Sequence, residues 1–250
     1  MCGVLGHRHP AIGSWIGDTD SVVRVSPLRC RHGAELVGLP RRNGVAESGS
    51  NADNGAVDRA LRRPLEIVDH DVEWAASFSA IGTTLRSRLD QAALRVDHIG
   101  STAVPGLAAK DVIDIQVTVA HLDVAREWPH EILPDLVRRS TVTADHLPIG
   151  VPADADEWAK LYWSNGSSIH LHVREEGRLN QRYALLCRDY LRADATAAGA
   201  YGLLKRALAD VALDDLAIYY AVKDPACDLI LAGAEHWAGR TSWAAGPSDA

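Results

Sequence analysis

Residues 98–110 carry the residue types that are suited to holding a phosphate group. Gly100 has no Cβ, so a phosphate can come close to the main chain there. Ser101 offers a hydroxyl and a main-chain N–H, and a short helix beginning near Thr102 would direct free N–H groups at the same anion. Lys110 adds a positive charge at the end of the segment. The pattern predicts a phosphate-binding loop, although Gly-Ser is also typical of an ordinary tight turn.

Asp114 follows this loop on segment 112–119, in which apolar and polar residues alternate as they do in a strand. A carboxylate beside a phosphate loop is suited to holding Mg²⁺, which prefers one or two carboxylates plus phosphate oxygens. We therefore expect Asp114 to be a catalytic residue and a Mg²⁺ ligand. Gln116 has no charge, so the free protein should bind Mg²⁺ poorly and acquire it with a nucleotide. The alternative is a solvated aspartate beside a turn.

A later alternating segment, 168–173, places His170 and His172 on one face, because side chains two residues apart in a strand point the same way. Imidazoles exchange protons near neutral pH, so both are candidate catalytic groups. His98 precedes the Gly-Ser loop and is a candidate for substrate binding. The alternative for the pair is a polar sheet face with hydrogen-bonded histidines. A zinc site is disfavoured because the sequence shows no second cluster of ligands.

Three basic residues on the late segments are further candidates for phosphate binding: Arg182, Lys205 and Lys223. The chain as a whole is acidic, with a net charge of −7. Guanidinium and ammonium groups bind phosphates and carboxylates, so these cations are candidates for ligand capture. Surface ion pairs are the alternative, and these contribute little to stability.

The elements that must position these residues alternate between helix and strand. We predict a helix over 71–89, strands over 94–99 and 112–119, a helix around 121–139, a strand near 141–146 and a hairpin over 158–173. Asn165-Gly166 favours a type I′ turn in that hairpin. Three helices follow, over 179–193, 195–212 and 215–238, and Pro225 should kink or split the last. This order predicts an α/β (α+β) fold with a helical C-terminal part.

Composition separates the 250-residue chain into unlike parts. Residues 1–62 hold close to half of its 20 Gly and predict a weakly ordered extension. Residues 63–240 form the predicted domain, and residues 241–250 a flexible tail. Met1-Cys2-Gly3 looks like the start of class II glutamine amidotransferases, but the extension is too short for that catalytic domain, so glutaminase chemistry at Cys2 is a remote alternative.

Bulk properties exclude several functions. The net charge of −7 argues against coating of nucleic acid, which needs a basic surface. No apolar run reaches the roughly 20 residues of a membrane-spanning helix. The four cysteines show neither zinc nor disulfide spacing, so we expect a cytoplasmic protein. The oligomeric state is left open.

The motifs resemble those of the GrpB-like family. Residues 98–115 are similar to the family signature, and the resemblance continues in residues 169–173, 186–192 and 201–205, and in Tyr219, Tyr220 and Lys223. It implies a nucleotidyltransferase-like mixed sheet flanked by helices, with the superfamily's Gly-Ser loop and strand carboxylate at Gly100, Ser101 and Asp114. Gln116 departs from the usual Asp-x-Asp pair, and residues 168–173 hold no third carboxylate. Usual two-metal catalysis is therefore in doubt.

The resemblance leaves two functions open. One is an enzyme that binds a nucleotide or another phosphate-containing small molecule and transfers a nucleotidyl group to a small acceptor. The other is a non-catalytic accessory or binding module related to coenzyme A metabolism, because such a domain is fused to dephospho-coenzyme A kinase in some proteins. Gln116 favours the module, whereas the Gly-Ser loop and the histidine pair favour chemistry.

Overall fold

The computed structural model describes residues 65–212 and 215–250, so the predicted extension and Cys2 lie outside the described residues. Its helices are α1 Glu73–Leu89, α2 Leu122–Arg126, α3 Ala155–Trp158, α4 Leu179–Ala193, α5 Ala195–Ala212 and α6 Leu216–Thr241. Its strands are β1 Arg95–Ile99, β2 Ile113–Val119, β3 Glu131–Leu133, β4 Leu136–Arg138, β5 Leu161–Ser164 and β6 Ile169–Glu175. These elements confirm the predicted α/β class and the helical C-terminal part.

One mixed sheet has the strand order β1-β2-β6-β5-β4-β3. Strands β2 and β6 are parallel, and the other neighbouring pairs are antiparallel. The alternation of β2 sorts its side chains between the two faces, as predicted. Ile113, Ile115, Val117 and Val119 join a core with Trp74, Phe78 and Leu85 of α1. The opposite face carries Asp114 and Gln116 toward α4, where the Gln116 amide donates to the Gln181 carbonyl.

Two predicted elements in the middle of the chain are wrong. The helix expected around 121–139 ends at Arg126, and the antiparallel strands β3 and β4 follow. Pro129 and Pro134 lack the N–H that a continuing helix requires, and Asp135 turns the chain with φ +64°. The strand expected near 141–146 is reduced to a single bridge between Ala144 and Ala159.

Two local predictions need refinement. The β5–β6 hairpin is confirmed, but Ser164 pairs with His170, and Gly166, unlike Asn165, has a positive φ, so the turn is not the two-residue type I′ form. Instead, Asn165 Oδ1 accepts the N–H groups of residues 167–169. Pro225 does not split α6, which runs unbroken through it. A proline removes only one main-chain hydrogen bond, and α6 also packs against α4 and α5.

The residues predicted as a flexible tail, 241–250, make specific contacts with edge strand β1. Ser248 Oγ accepts the Val96 N–H at 2.8 Å, and the Ala250 N–H donates to the Val96 carbonyl at 3.1 Å. Asp249 accepts the His98 N–H at 2.9 Å. The segment thus follows β1 on the side away from β2. Within the described residues, no helix is long and apolar enough to span a bilayer.

Candidate functional site

Asp114 and the predicted histidine pair meet because β2 and β6 run parallel in one register. Asp114 lies opposite His170, and Gln116 lies opposite His172. His170 Nδ1 is 3.1 Å from Asp114 Oδ1, and His172 Nε2 is 3.6 Å from the same oxygen. Burial opposes the charge of this carboxyl, but hydrogen bonds from both histidines hold the pKa of Asp114 well below its usual range. Asp114 is therefore ionised, accepts from His170 and lies close to His172.

The absence of a side chain at Gly100 leaves the space that the Asp114 carboxylate occupies. Its φ is +71°, and a Cβ built there would lie 2.5 Å from Asp114 Oδ2. Glycine is therefore required twice, by the left-handed backbone and by the close approach of the carboxylate. A larger residue at Gly100 would therefore displace Asp114 in addition to blocking the approach of a ligand to the loop.

Ser101 and Lys205 form a polar pair close to Asp114, in a cleft that all three residues line. Lys205 Nζ donates to Ser101 Oγ at 2.8 Å and lies 4.5 Å from the ring centre of Tyr201. The Lys205 side chain is 2% exposed, and no carboxylate among the described residues pairs with it. Burial, together with the charge of Lys223, lowers the pKa of Lys205 to about 7. A buried cation without a counter-charge is costly, so the site is suited to an anionic ligand.

Most of the predicted site residues share one space, here named the main cleft. It has a volume of about 510 Å³, and the predicted residues that line it are Ser101, Lys110, Asp114, His170, His172, Lys205 and Lys223. A second space of about 610 Å³, the side cavity, adjoins it and shares Lys110, Tyr162, His170 and Tyr220. Gly100 lines a third space of about 280 Å³, which shares Ser101, Asp114 and His172 with the main cleft.

Two further predicted residues, Arg182 and His98, do not line the main cleft. Arg182 lies on the outer side of α4, where it pairs with Glu235 and stacks over Trp243 at 5.5 Å. His98 is buried against Phe78, with ring centres 4.7 Å apart, and its Nε2 lies 3.0 Å from Thr102 Oγ1. Burial lowers its pKa to about 4. His98 therefore supports the Gly-Ser loop from behind.

A buried charge network beside His172 replaces the second carboxylate that an Asp-x-Asp pair would supply. Asp145 accepts from Lys160 Nζ at 2.7 Å and from Arg174 Nε at 2.8 Å. Burial opposes its charge, but Arg174 and Lys160 hold the pKa of Asp145 well below its usual range. Arg174 also donates to Gln116 Oε1 at 2.6 Å, and Gln116 is fully buried. The strand pattern predicts Gln116 on the cleft face beside Asp114, but Gln116 is covered by Arg174 instead. An aspartate at this position would pair with Arg174.

This donor set does not fit a resident Mg²⁺. Mg²⁺ takes oxygen ligands in near-octahedral geometry, whereas Asp114 Oδ1 is bordered by two imidazole nitrogens. The Asp145 carboxylate is already neutralised by two cations. The donors of Asp114, His170 and His172 lie within 4.8 Å of one another, a spacing open to a transition ion if the ring nitrogens carry lone pairs.

Comparison with known proteins assigns the chain to a family. The sequence model described as GrpB protein matches residues 64–232. This chain belongs to the GrpB family. A solved GrpB protein from Enterococcus faecalis is 26% identical, with a TM-score of 0.55, and the match covers 69% of this chain and 99% of that one. The GrpB fold therefore accounts for the sheet and helices described above.

This chain is similar to curated relatives with two kinds of name. A protein named dephospho-CoA kinase from Mycolicibacterium paratuberculosis is 35% identical over 208 residues, which cover 77% of this chain and 51% of the relative. A UPF0157 protein of Streptomyces coelicolor is 34% identical over 164 residues, which cover 66% of this chain and 79% of the relative. The chain thus spans about half the length of the kinase-named relative.

The site of this GrpB-family chain also contains residues that sequence reasoning missed. Asp145 lies in an irregular segment, Lys160 directly precedes β5 and Arg174 lies near the end of β6, so no periodicity relates the three. Tyr162 faces both histidines, with ring centres 5.6 Å from His170 and 5.1 Å from His172. Tyr162 lies on β5 and pairs with His172 across the predicted hairpin, and this pairing was the one sequence signal that could have placed it at the site.

Proposed function

We propose that the main cleft binds the phosphate group of a nucleotide or another phosphate-containing small molecule. Lys205 carries this proposal, because its ammonium group is buried beside Ser101 and lacks a carboxylate partner among the described residues. A phosphate would supply the missing negative charge and accept from both side chains. Lys223 and Lys110 line the same cleft and would add to the attraction.

The test measures binding of ATP, dephospho-coenzyme A and pyrophosphate by thermal shift and calorimetry, without metal. Ligands that bind the native state raise its melting temperature. Lys205→Met should weaken binding about 10- to 100-fold, since a hydrogen bond to a charged group contributes about 1.5–3 kcal/mol. Arg182→Met removes a similar charge outside the cleft and should bind as the native protein does. Equal affinity of both variants would rule out the main cleft as the phosphate site.

A nucleotidyl transfer to a small acceptor is favoured by the position of His170. It lies where the main cleft and the side cavity meet, so a phosphate in one space and an acceptor hydroxyl in the other would both come near its ring. Mg²⁺ that accompanies a nucleotide would be held by phosphate oxygens and water. Release of pyrophosphate from a nucleoside triphosphate in the presence of hydroxyl acceptors would test this reaction.

The accessory-module alternative is favoured by the kinase name of the relative that extends well beyond the matched region. A module would retain phosphate binding in the main cleft and show no turnover. The module is supported over the transferase if dephospho-coenzyme A binds without being consumed and Lys205→Met weakens that binding.

A further inference from the structure

The two ring nitrogens of His172 face different neighbours, and those neighbours decide which nitrogen carries the proton. Nδ1 lies 3.3 Å from Lys160 Nζ and 3.5 Å from Arg174 Nη2. An ammonium and a guanidinium group can only donate hydrogen bonds. Nδ1 must therefore accept, so the proton of the neutral ring resides on Nε2, the atom that faces Asp114 Oδ1.

His170 has the opposite arrangement. Its Nδ1 faces Asp114 Oδ1 at 3.1 Å, and an ionised carboxylate can only accept. The proton of the neutral ring therefore resides on Nδ1, which leaves the lone pair on Nε2. The His170 side chain is 28% exposed and borders both the main cleft and the side cavity. It thus offers a basic nitrogen to a bound ligand.

The protons on His172 Nε2 and His170 Nδ1 occupy the positions that a metal ion bound by Asp114, His170 and His172 would need. A metal requires a lone pair on each nitrogen that faces it. For His172 this would move the ring proton to Nδ1, against Lys160 and Arg174. The spacing of Asp114, His170 and His172 is suited to a transition ion, but the charges behind His172 are not.

We propose that Asp114 is a positioning residue that fixes the tautomers of both histidines, and that His170 Nε2 is the base of the main cleft. In the reaction, a hydroxyl or water bound beside His170 would give its proton to Nε2, and its O–H electron pair would stay on the oxygen. The resulting imidazolium would be stabilised by Asp114, as in other aspartate–histidine pairs. The tautomers themselves do not depend on the phosphate proposal, whereas the reaction step rests on it.

Nitrogen-15 NMR of the histidine rings tests this in the full chain without ligand. The long-range proton–nitrogen pattern should show His170 protonated at Nδ1 and His172 protonated at Nε2. His170→Gln and His172→Gln identify the two sets of signals. The opposite tautomer at either histidine would overturn the proposal. Because no ligand is added, this outcome is separate from failure of phosphate binding.

Two chemical probes complete the test. Equimolar ZnCl₂ or MnCl₂ should leave the ring signals and the melting temperature unchanged. Stoichiometric zinc binding that is lost in His172→Gln would instead establish a metal site and overturn the proposal. Diethyl pyrocarbonate acylates accessible ring nitrogens that lack a proton, so it should modify His170 and spare the buried His98. An unmodified His170 would contradict an accessible base at Nε2.

Discussion

Lys205 is the residue on which the binding chemistry of the cleft depends. Its pKa of about 7 results from burial and from the charge of Lys223, so near pH 8 most of the ligand-free molecules hold it neutral. A bound phosphate would favour the charged form and raise that pKa. Phosphate binding should therefore take up a proton at pH 8, and affinity should fall as the pH rises above 7.

Calorimetry of pyrophosphate binding at pH 8, in buffers of different ionisation enthalpy, measures this uptake. We expect somewhat under one proton per ligand, and a smaller value at pH 6, where Lys205 is already charged. The Lys205→Met protein should lose this component, while Arg182→Met should retain it. A heat of binding that is independent of the buffer at pH 8 would contradict the expected uptake.

The sequence predicts some of the site residues and not others, for a physical reason. Ser101, Asp114, His170 and His172 lie in short motifs whose strand periodicity sets their direction, and they meet in one site. Asp145, by contrast, reaches Arg174 through an irregular segment, and partners 29 residues apart leave no local pattern. The alternation of segment 112–119 predicts that Gln116 shares a face with Asp114, but its contact with Arg174 of β6 leaves no local pattern.

Among the elements, the turn after β1 joins backbone geometry to the site. Gly100 and Gly106 both have a positive φ, but a Cβ at Gly106 meets nothing within 4 Å, whereas one at Gly100 meets the Asp114 carboxylate. Gly106 is therefore a control for a positive φ without a side-chain contact. Gly106→Ala should lower the free energy of unfolding by about 1–2 kcal/mol, the usual cost of left-handed backbone.

Gly100→Ala should cost more, about 2–5 kcal/mol, because φ +71° with ψ −167° is a conformation that almost only glycine adopts and because Asp114 must also move. Urea unfolding of the two variants measures the difference. Only Gly100→Ala should also change the ring signals of His170, because only it moves the shared carboxylate. Equal stabilities and unaltered ring signals would show that Asp114 does not depend on Gly100.

The elements were predicted best where periodicity was strong and worst where prolines interrupt it. Helix α1, strand β2 and helices α4 and α5 lie close to their expected bounds. The segment after β2 misled because its apolar residues suit a helix, yet Pro129 and Pro134 produce a hairpin at the sheet edge. Strand order could not be predicted, because the parallel pairing of β2 and β6 joins segments that the intervening hairpin separates.

For the whole molecule, the sequence predicts that residues 1–60 are dispensable. Leu65 and Ile67 are buried against Leu208 and Tyr219, and Val68 pairs with Ala109. A protein that starts at residue 61 keeps all of these contacts and should have a nearly unchanged melting temperature. A protein that starts at residue 70 loses them and should melt several degrees lower. A large loss in the longer protein would show that the extension contributes to folding.

Residues 246–250, which lie along strand β1, affect how the protein behaves in concentrated solution. An edge strand with open main-chain groups recruits strands of other molecules and promotes aggregation. Here the N–H and carbonyl of Val96 are occupied by Ser248 and Ala250, and those of His98 by Asp249 and Arg188. Residues 246–250 thus cover the edge of the sheet. Their loss would expose the main-chain groups of β1 to strands of other molecules.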